Sequence, residues 1–263
     1  MRIKTIVTGV AGRMGRQVAS ALTQESDIEL VGGVDLKSQN INIGSGATGT
    51  SLEVTTDLRA LIAKTGPNVM VDFTHPACVM DNVRCALQSG VRCVVGTTGL
   101  SASDFDEIKG LCQVNKTGAV IAPNFAVGAV LLMRFAQIAS KHFDTAEIIE
   151  MHHDKKVDAP SGTALKTAEF MRQSDPAAQE EIAASFESQP ARGENAGGTR
   201  IHSVRLPGLV AHHEVIFGAP GQTLTIRHDS LSRESFIPGV VLAVREVMKL
   251  EEAVFGLDVL LNI

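Results

Sequence analysis

Ile6-Val7-Thr8-Gly9-Val10-Ala11-Gly12-Arg13-Met14-Gly15 decides the fold of this chain. A β-rich run, Ile3–Thr8, passes through a glycine turn into a segment whose Met14, Val18, Ala21 and Leu22 share one helical face. Small residues in such a turn let the backbone approach a phosphate, and the helix that follows offers unpaired amides and the positive end of its dipole. Gly15 allows close packing of helix on sheet. The spacing is G-x-x-G-x-x-G, because Val10 stands where the dinucleotide fingerprint has its first glycine. A second run, Ile28–Val34, ends at Asp35, 20 residues after Gly15, where an acidic residue meets the adenosine ribose hydroxyls. A glycine triplet alone fits a plain tight turn. The strand before it, the helix after it and the acidic residue together point to dinucleotide binding, with Gly9, Val10, Ala11, Gly12, Arg13 and Met14 as the candidate contacts.

Working outward, further apolar runs at 69–73, 91–95 and 119–122 are joined by helical patterns, and Ser101 with Asp104 reads as a helix start. Nearly uninterrupted Val/Ile runs linked by helices predict a Rossmann-type, doubly wound parallel sheet covered on both faces. Gly96-Thr97-Thr98-Gly99 and Ala122-Pro123-Asn124-Phe125 follow the fourth and fifth strands, on the edge of the glycine turn, and are candidates for nicotinamide contact. Asp35 favours the free ribose of NAD, whereas Arg13 and Lys37 suit a 2′-phosphate, so NADH, NADPH or both are expected as cofactor.

The second half changes character. A helix over 127–141, a strand over 147–153 and a helix starting near Thr163 precede a polar, helix-poor stretch at 185–198. Strand patterns at 199–206, 211–217 and 223–228 then follow one another, separated by Pro207-Gly208 and Pro220-Gly221. Strands in a row without helices predict an inserted α+β domain carrying an open sheet. Helical period returns at 240–250. The expected division is 1–123 plus 234–263 for the nucleotide domain, with 124–233 inserted.

Composition sets the outer bounds. The chain has 263 residues, 24 Lys+Arg against 29 Asp+Glu, and a net charge of −5, which removes the usual attraction to nucleic acid or anionic membrane. Trp and Tyr are absent and Phe numbers 10, so aromatic platforms for single-stranded nucleic acid are not expected. No apolar run is long enough for a membrane span, and MRIKTIVTGV is interrupted by glycine too early for a signal peptide, so a cytoplasmic location is expected. Cys78, Cys85, Cys93 and Cys112 form no C-x-x-C pair and read as reduced, buried thiols rather than zinc ligands; no metal is expected.

The most unusual stretch is His152-His153-Asp154-Lys155-Lys156-Val157-Asp158-Ala159-Pro160-Ser161-Gly162-Thr163-Ala164. Neighbouring strand residues point to opposite faces, so His152 and His153 do not share a metal. Acid–base and anion-binding roles suit the pair and the lysines better. Ser161 falls near a helix cap, and the free amides of Gly162 and Thr163 suit a carboxylate. A solvated charged loop before a capped helix is the plainer alternative. Beside a dinucleotide fold, the cationic cluster and helix end imply a small anionic substrate.

Together, Gly12-Arg13-Met14-Gly15, Val71-Asp72-Phe73-Thr74, Gly96-Thr97-Thr98-Gly99, Ala122-Pro123-Asn124-Phe125 and the segment from Glu150 through His152-His153, Lys156 and Asp158 to Ala164 resemble the 4-hydroxy-tetrahydrodipicolinate (dihydrodipicolinate) reductase family over essentially the whole chain. The resemblance implies an NAD(P)H-dependent reductase of the diaminopimelate route to lysine. Its substrate would be a cyclic imine dicarboxylate, and its inserted domain would bind that substrate and build a homotetramer. It implies hydride transfer to ring C4, with His152 as acid/base and Lys156 as proton donor. His153, Gly162 and Thr163 would contact substrate, with Ser161 and Arg233 as further candidates. Hydride crossing from one domain to the other implies closure on binding.

Two other classes compete. A non-catalytic NAD-sensing regulator would bind cofactor without turnover and carry an added DNA-binding module, of which no pattern is present. A homoserine- or semialdehyde-type dehydrogenase leaves the His-His-to-Ser-Gly-Thr segment unexplained, and the semialdehyde type needs an activated cysteine. His75, His212 and His213 have no assigned role and read as surface or interface positions.

Overall fold

The structure, a computed structural model, describes residues 2–43, 50–174 and 190–263. The chain forms two compact units, Met1–Phe125 with Phe236–Asn262, and Ala126–Ser235 with Ile263. The first begins with β1 (Ile3–Thr8), α1 (Arg13–Leu22), β2 (Ile28–Val34), β3 (Gln39–Ile43), β4 (Thr50–Thr55) and α2 (Leu58–Thr65). It continues through β5 (Val69–Asp72), α3 (Pro76–Gln88), β6 (Arg92–Val95), α4 (Ala102–Asn115) and β7 (Ala119–Ile121). The second holds α5 (Val127–Ala139), β8 (Thr145–His152), α6 (Gly162–Ser174), β9 (Glu194–Ala196), β10 (Thr199–Arg205), β11 (Ala211–Ala219) and β12 (Gln222–Ser230). The chain then rejoins the first unit as α7 (Ile237–Glu246), β13 (Ala253–Phe255) and α8 (Leu257–Leu261).

The first unit's sheet has the order β13-β7-β6-β5-β1-β2-β4-β3. From β1 the chain winds one way through β2 and β4, then restarts at β5 on the other side, which makes the β1/β5 boundary a topological switch point. Ile6, Val7, Met70, Val71 and Val94 are fully buried, so both faces of the sheet are covered. Each such side chain contributes about 1.5–3 kcal/mol of burial. Thr8 pairs with Val34 and Asp72, Asp72 with Val95, and Val95 with Ile121. These strand ends are level, so the turns after β1, β5, β6 and β7 leave from one edge. Arg245 of α7 bonds Asp27 at 2.7 and 2.9 Å and Glu25 at 2.6 Å, tying the returning C-terminal segment to the entry of β2.

Two features differ from the sequence expectation. The sheet is parallel except at its end, where β3 runs antiparallel to β4. Only Ile41, Ile43, Leu52 and Val54 of this pair are buried, while Asn40, Asn42, Ser51 and Glu53 face out. That period-two pattern is a one-sided edge, unlike the continuous apolar runs of the centre. The last strand, β13, is three residues long and lies between α7 and α8.

In the second unit the sheet order is β12-β11-β8-β10-β9, mixed because β8 and β10 are parallel and the other pairs antiparallel. Leu132 and Ala136 of α5 and Ala164, Ala168 and Met171 of α6 pack on Ile148, Ile201, Val215 and Phe217, covering one face. Glu147, Ile149, Ile216 and Glu214 alternate onto the other face and stay partly exposed. The predicted polar stretch 185–198 falls partly outside the described residues; its described part forms a short 3₁₀ turn, Pro190–Arg192, and β9. No helix among the described residues is long and apolar enough to cross a membrane.

Candidate active site

The glycine turn divides its labour. Gly9 has φ +73°, and a Cβ there would stand 2.3 Å from the carbonyl oxygen of Phe73. At Gly15 a Cβ would stand 2.0 Å from the carbonyl oxygen of Gly9. Both glycines are therefore demanded by the protein's own backbone. Gly12 is exposed and meets only the Gly9 carbonyl, at 3.1 Å, so it presents bare backbone to solvent. Val10 is fully buried, and a Cβ on Gly33 would come within 2.7 Å of its Cγ1. The departure from the usual fingerprint is thus an exchange inside the core: Val10 fills volume that Gly33 leaves.

The turn's amides are also sorted. Gly9 and Val10 donate to the Val34 carbonyl at 2.9 and 3.3 Å, Gly12 donates to Gly9 at 3.0 Å, and Ala11 donates to Asp35 Oδ2 at 2.8 Å. The amides of Arg13 and Met14 stand in the first turn of α1, where no intrahelical acceptor exists. They fit a phosphate oxygen, with the helix dipole behind them. Asp35 also accepts the Leu36 amide at 2.8 Å, which leaves further lone pairs for ribose hydroxyls. Arg13 and Lys37 are exposed, and Arg16, absent from the sequence expectation, reaches back to the Ala11 carbonyl at 3.1 Å.

The other two loops on this edge are partly core. Gly96 donates to the Asp72 carbonyl at 2.9 Å, and a Cβ there would strike the Phe73 ring at 2.2 Å. Thr97 is buried and its hydroxyl lies 2.6 Å from the Asp72 carboxylate, whereas Thr98 is exposed. Ala122 and Phe125 are buried, with the Phe125 ring centroid 5.9 Å from that of Phe73. Pro123 is exposed and Asn124 half-buried.

In the second unit the His152 segment is built around a carboxylate. Glu150 and His152 lie two apart on β8 and share a face. Glu150 is fully buried, and its Oε2 meets His152 Nδ1 at 2.5 Å. Arg205, at the end of β10 and paired with His152 in register, bonds both Glu150 oxygens, at 2.7 and 3.0 Å. The Ser161 amide donates to Glu150 Oε1 at 3.2 Å. Burial alone would raise the Glu150 carboxyl, but bonds from His152, Arg205 and Ser203 outweigh it and hold the pKa down at about 2. An ionised carboxylate only accepts, so Nδ1 of His152 carries hydrogen and Nε2 is turned away from Glu150.

The same hub reaches the lysine. Arg205 donates to the Asp158 carbonyl at 2.7 Å, and Asp158 binds the Lys156 ammonium with both oxygens at 2.7 Å. That ammonium holds the Asp158 carboxyl below its usual range. Ser161 Oγ accepts the Ala164 amide at 3.3 Å, as an N-cap does, leaving the first-turn amides of Gly162 and Thr163 without helical acceptors. Gly162 is exposed, with nothing within 4 Å of a would-be Cβ. His153 lies just past the end of β8, which stops at His152 and not at the predicted 153, and is exposed. Arg233 is exposed in a 3₁₀ turn, and no described contact joins it to His152 or Lys156.

Glu150, Arg205 and Asp158 are functional candidates beyond the sequence-predicted set. The i, i+2 spacing from Glu150 to His152 was the available signal; Arg205 arrives only through strand pairing. Of the three histidines read as surface or interface positions, two make local bonds and the third is buried. His75 caps α3, its Nδ1 accepting the Ala77 amide at 3.2 Å, and His212 bonds Asp229 at 2.6 Å. His213, beside Glu150 on the sheet, is buried, and burial lowers it to about 4. Cys93 and Cys112 are buried and Cys78 and Cys85 half-buried, so only two thiols match the buried expectation. Burial pushes Cys112 up to about 11 and Cys93 well above its ordinary value, which suits neither for nucleophilic catalysis. Among the described residues no group of His, Cys, Asp and Glu could hold a metal ion.

Comparison with known proteins bears on both units. The family profile described as "Dihydrodipicolinate reductase, N-terminus" matches residues 3–125, and "Dihydrodipicolinate reductase, C-terminus" matches residues 128–261. The 4-hydroxy-tetrahydrodipicolinate reductase of Moorella thermoacetica is 50% identical, covering 99% of this chain and 98% of its own. That of Listeria innocua is 48% identical, covering 99% of this chain and 100% of its own. A dipicolinate-bound dihydrodipicolinate reductase from Paenisporosarcina sp. TG-14 superposes with a TM-score of 0.85 at 39% identity, covering 98% of this chain and 99% of that one. An amine dehydrogenase from Mycobacterium smegmatis, at 13% identity and a TM-score of 0.65, shares the fold.

Proposed function

The chain belongs to the dihydrodipicolinate reductase family of pyridine-nucleotide-dependent oxidoreductases, and on that premise we propose how its residues carry out the reduction of 4-hydroxy-tetrahydrodipicolinate, by way of dihydrodipicolinate, to tetrahydrodipicolinate. This is a step of diaminopimelate and lysine biosynthesis. The observation that carries the residue assignment is the Glu150–His152 contact at 2.5 Å, continued through Arg205 to the Lys156–Asp158 pair.

The first unit serves as the nucleotide-binding domain. Gly12 exposes backbone, the amides of Arg13 and Met14 take a pyrophosphate oxygen, and Asp35 accepts ribose hydroxyls. Gly9, Val10 and Ala11 shape the turn from behind. Thr97 and Thr98 with Gly96, and Pro123 and Asn124 between Ala122 and Phe125, border the nicotinamide. Held by these residues, NADH or NADPH would supply hydride to ring C4 of the substrate. Arg13 and Lys37, both exposed, accommodate a 2′-phosphate, so the enzyme accepts either nucleotide.

The second unit binds the cyclic dicarboxylate. Gly162 and Thr163 amides hold one carboxylate at the helix N-terminus that Ser161 caps, and His153 and Arg233 contact the other. Hydride arrival at C4 pushes electron density onto C3 and the ring nitrogen, and a proton must meet it. Glu150 fixes the tautomer and aim of His152, while Asp158 fixes Lys156; one of these two held groups delivers the proton. A positioned acid contributes about 10²–10⁴-fold, or about 3–5 kcal/mol of barrier. Lys156 also stabilises the developing negative charge as a fixed cation. The partly exposed sheet face carrying Glu147, Ile149, Glu214 and Ile216 joins copies of the chain into a homotetramer, and the enzyme works in the cytoplasm.

The test is a coupled assay in which the upstream synthase makes the unstable substrate from pyruvate and aspartate semialdehyde. Nicotinamide absorbance should fall with either nucleotide, and the two rates give the preference. Binding of NADH without consumption would overturn the reading in favour of a sensor.

A further inference from the structure

We infer that Asp72 is a positioning residue for the nicotinamide half of the cofactor: it fixes the loops that leave β5 and β6 and places a buried negative charge beneath them. The inference rests on the nucleotide-binding role proposed for the first unit.

Asp72 is the last residue of β5 and is fully buried. Its Oδ2 accepts the Thr8 hydroxyl at 2.6 Å and the Asn82 amide at 2.8 Å. Its Oδ1 accepts the Thr97 hydroxyl at 2.6 Å, the Thr74 hydroxyl at 2.7 Å and the Thr74 amide at 3.1 Å. The Thr74 amide also lies 2.7 Å from Thr97 Oγ1, so that oxygen accepts one hydrogen and spends its own on Asp72. Every described partner donates, the pattern of an ionised carboxylate. The Thr8–Asp72 bond crosses the β1/β5 boundary, where the strand order reverses and where open α/β sheets bind ligands.

Among the described residues no ion pair includes Asp72, and the groups that bond its carboxylate are neutral dipoles. Burying a carboxylate is costly, and a tie between loops alone would be served by a neutral amide. A charge kept at that cost, at the ligand-binding edge of the sheet, has a use there. Loss of hydride leaves the nicotinamide ring positively charged. A fixed anion under Thr74 and Thr97 therefore favours the oxidised form over the reduced one, and eases hydride departure.

The experiment measures dissociation constants of NADH and NAD⁺ for the intact protein by titration calorimetry, with thermal unfolding as the check of fold. Asp72→Asn removes the charge and keeps the shape; Thr97→Val keeps the charge and removes one donor. Wild type is expected to bind both nucleotides. Asp72→Asn should raise the ratio Kd(NAD⁺)/Kd(NADH) about tenfold, because it removes a short-range attraction felt only by the oxidised ring. Thr97→Val should weaken both nucleotides while leaving the ratio within about twofold of wild type. An unchanged ratio in a folded Asp72→Asn protein overturns the charge assignment. If that variant does not fold, wild-type affinities in Thr97→Val overturn the positioning role. Wild type that binds neither nucleotide would sink the nucleotide-binding reading itself.

Discussion

Glu150 Oε2 stands 2.5 Å from Nδ1 of His152, with the carboxylate fully buried and the imidazole mostly so. The contact orients the ring and dictates which nitrogen faces away. Glu150→Gln keeps the volume but removes the charge and leaves Arg205 without its ionic partner. We expect kcat to fall by about 10²-fold or more with the substrate KM little changed, since Gln alters aim rather than substrate contacts. Steady-state kinetics on the purified variant check this; a rise in KM at constant kcat would place Glu150 in substrate binding instead.

Stability should fall on the acid side in two windows. His213 is held by burial at about 4, below its ordinary 6.5, despite the pull of Glu150. As pH drops from 6.5 to 4 the unfolded chain takes up that proton first, so the native state loses up to about 3 kcal/mol. Glu150, depressed to about 2 from 4.5, withdraws a similar amount only below pH 4.5. Denaturant unfolding across this range checks both, and His213→Leu should flatten the curve between pH 6.5 and 4 alone.

The glycine turn separates fold from binding. Gly12→Ala should keep a melting temperature close to wild type while weakening NADH binding by tenfold or more, about 1.4 kcal/mol. Gly15→Ala, whose Cβ would press on the Gly9 carbonyl at 2.0 Å, should cost about 3 kcal/mol or more of stability. Thermal unfolding beside nucleotide titration distinguishes the two. Equal destabilisation in both would contradict the division.

Thiol labelling should also split. Cys78 and Cys85 are half-buried and should react with an aromatic disulfide reagent in the native protein. Cys93 and Cys112, buried and held protonated, should react only after unfolding. Four equally fast thiols would contradict the packing.

Much of this was legible in the residues. The runs Ile3–Thr8 and Ile28–Val34 are strands with those very bounds, because a sheet covered on both faces demands unbroken apolar stretches. The segment from Glu150 to Ala164 announced the helix that Ser161 caps and the strand that carries Glu150 and His152. The antiparallel β3–β4 edge was not legible, since its apolar residues alternate with Asn, Ser and Glu and one strand is only five residues long. Asp72 at the end of an apolar run looks like an ordinary turn residue. Its donors come from four separate segments, and only the folded sheet brings Thr8, Thr74, Asn82 and Thr97 around it. Arg205 is hidden for the same reason: β8 and β10 are parallel neighbours separated by a whole helix. Val10 can stand in the glycine fingerprint because Gly33, packed against it, leaves the volume its side chain fills.

The most direct test of the central claim is turnover of wild type, His152→Ala and Lys156→Ala in the synthase-coupled assay at saturating nucleotide, with NADH binding measured on the same samples. The account predicts wild-type consumption of nucleotide, a loss of about 10²-fold or more in at least one variant, and nucleotide affinity unchanged in both. Full activity in both variants would contradict the assignment of proton supply to the Glu150–His152 and Lys156–Asp158 pairs.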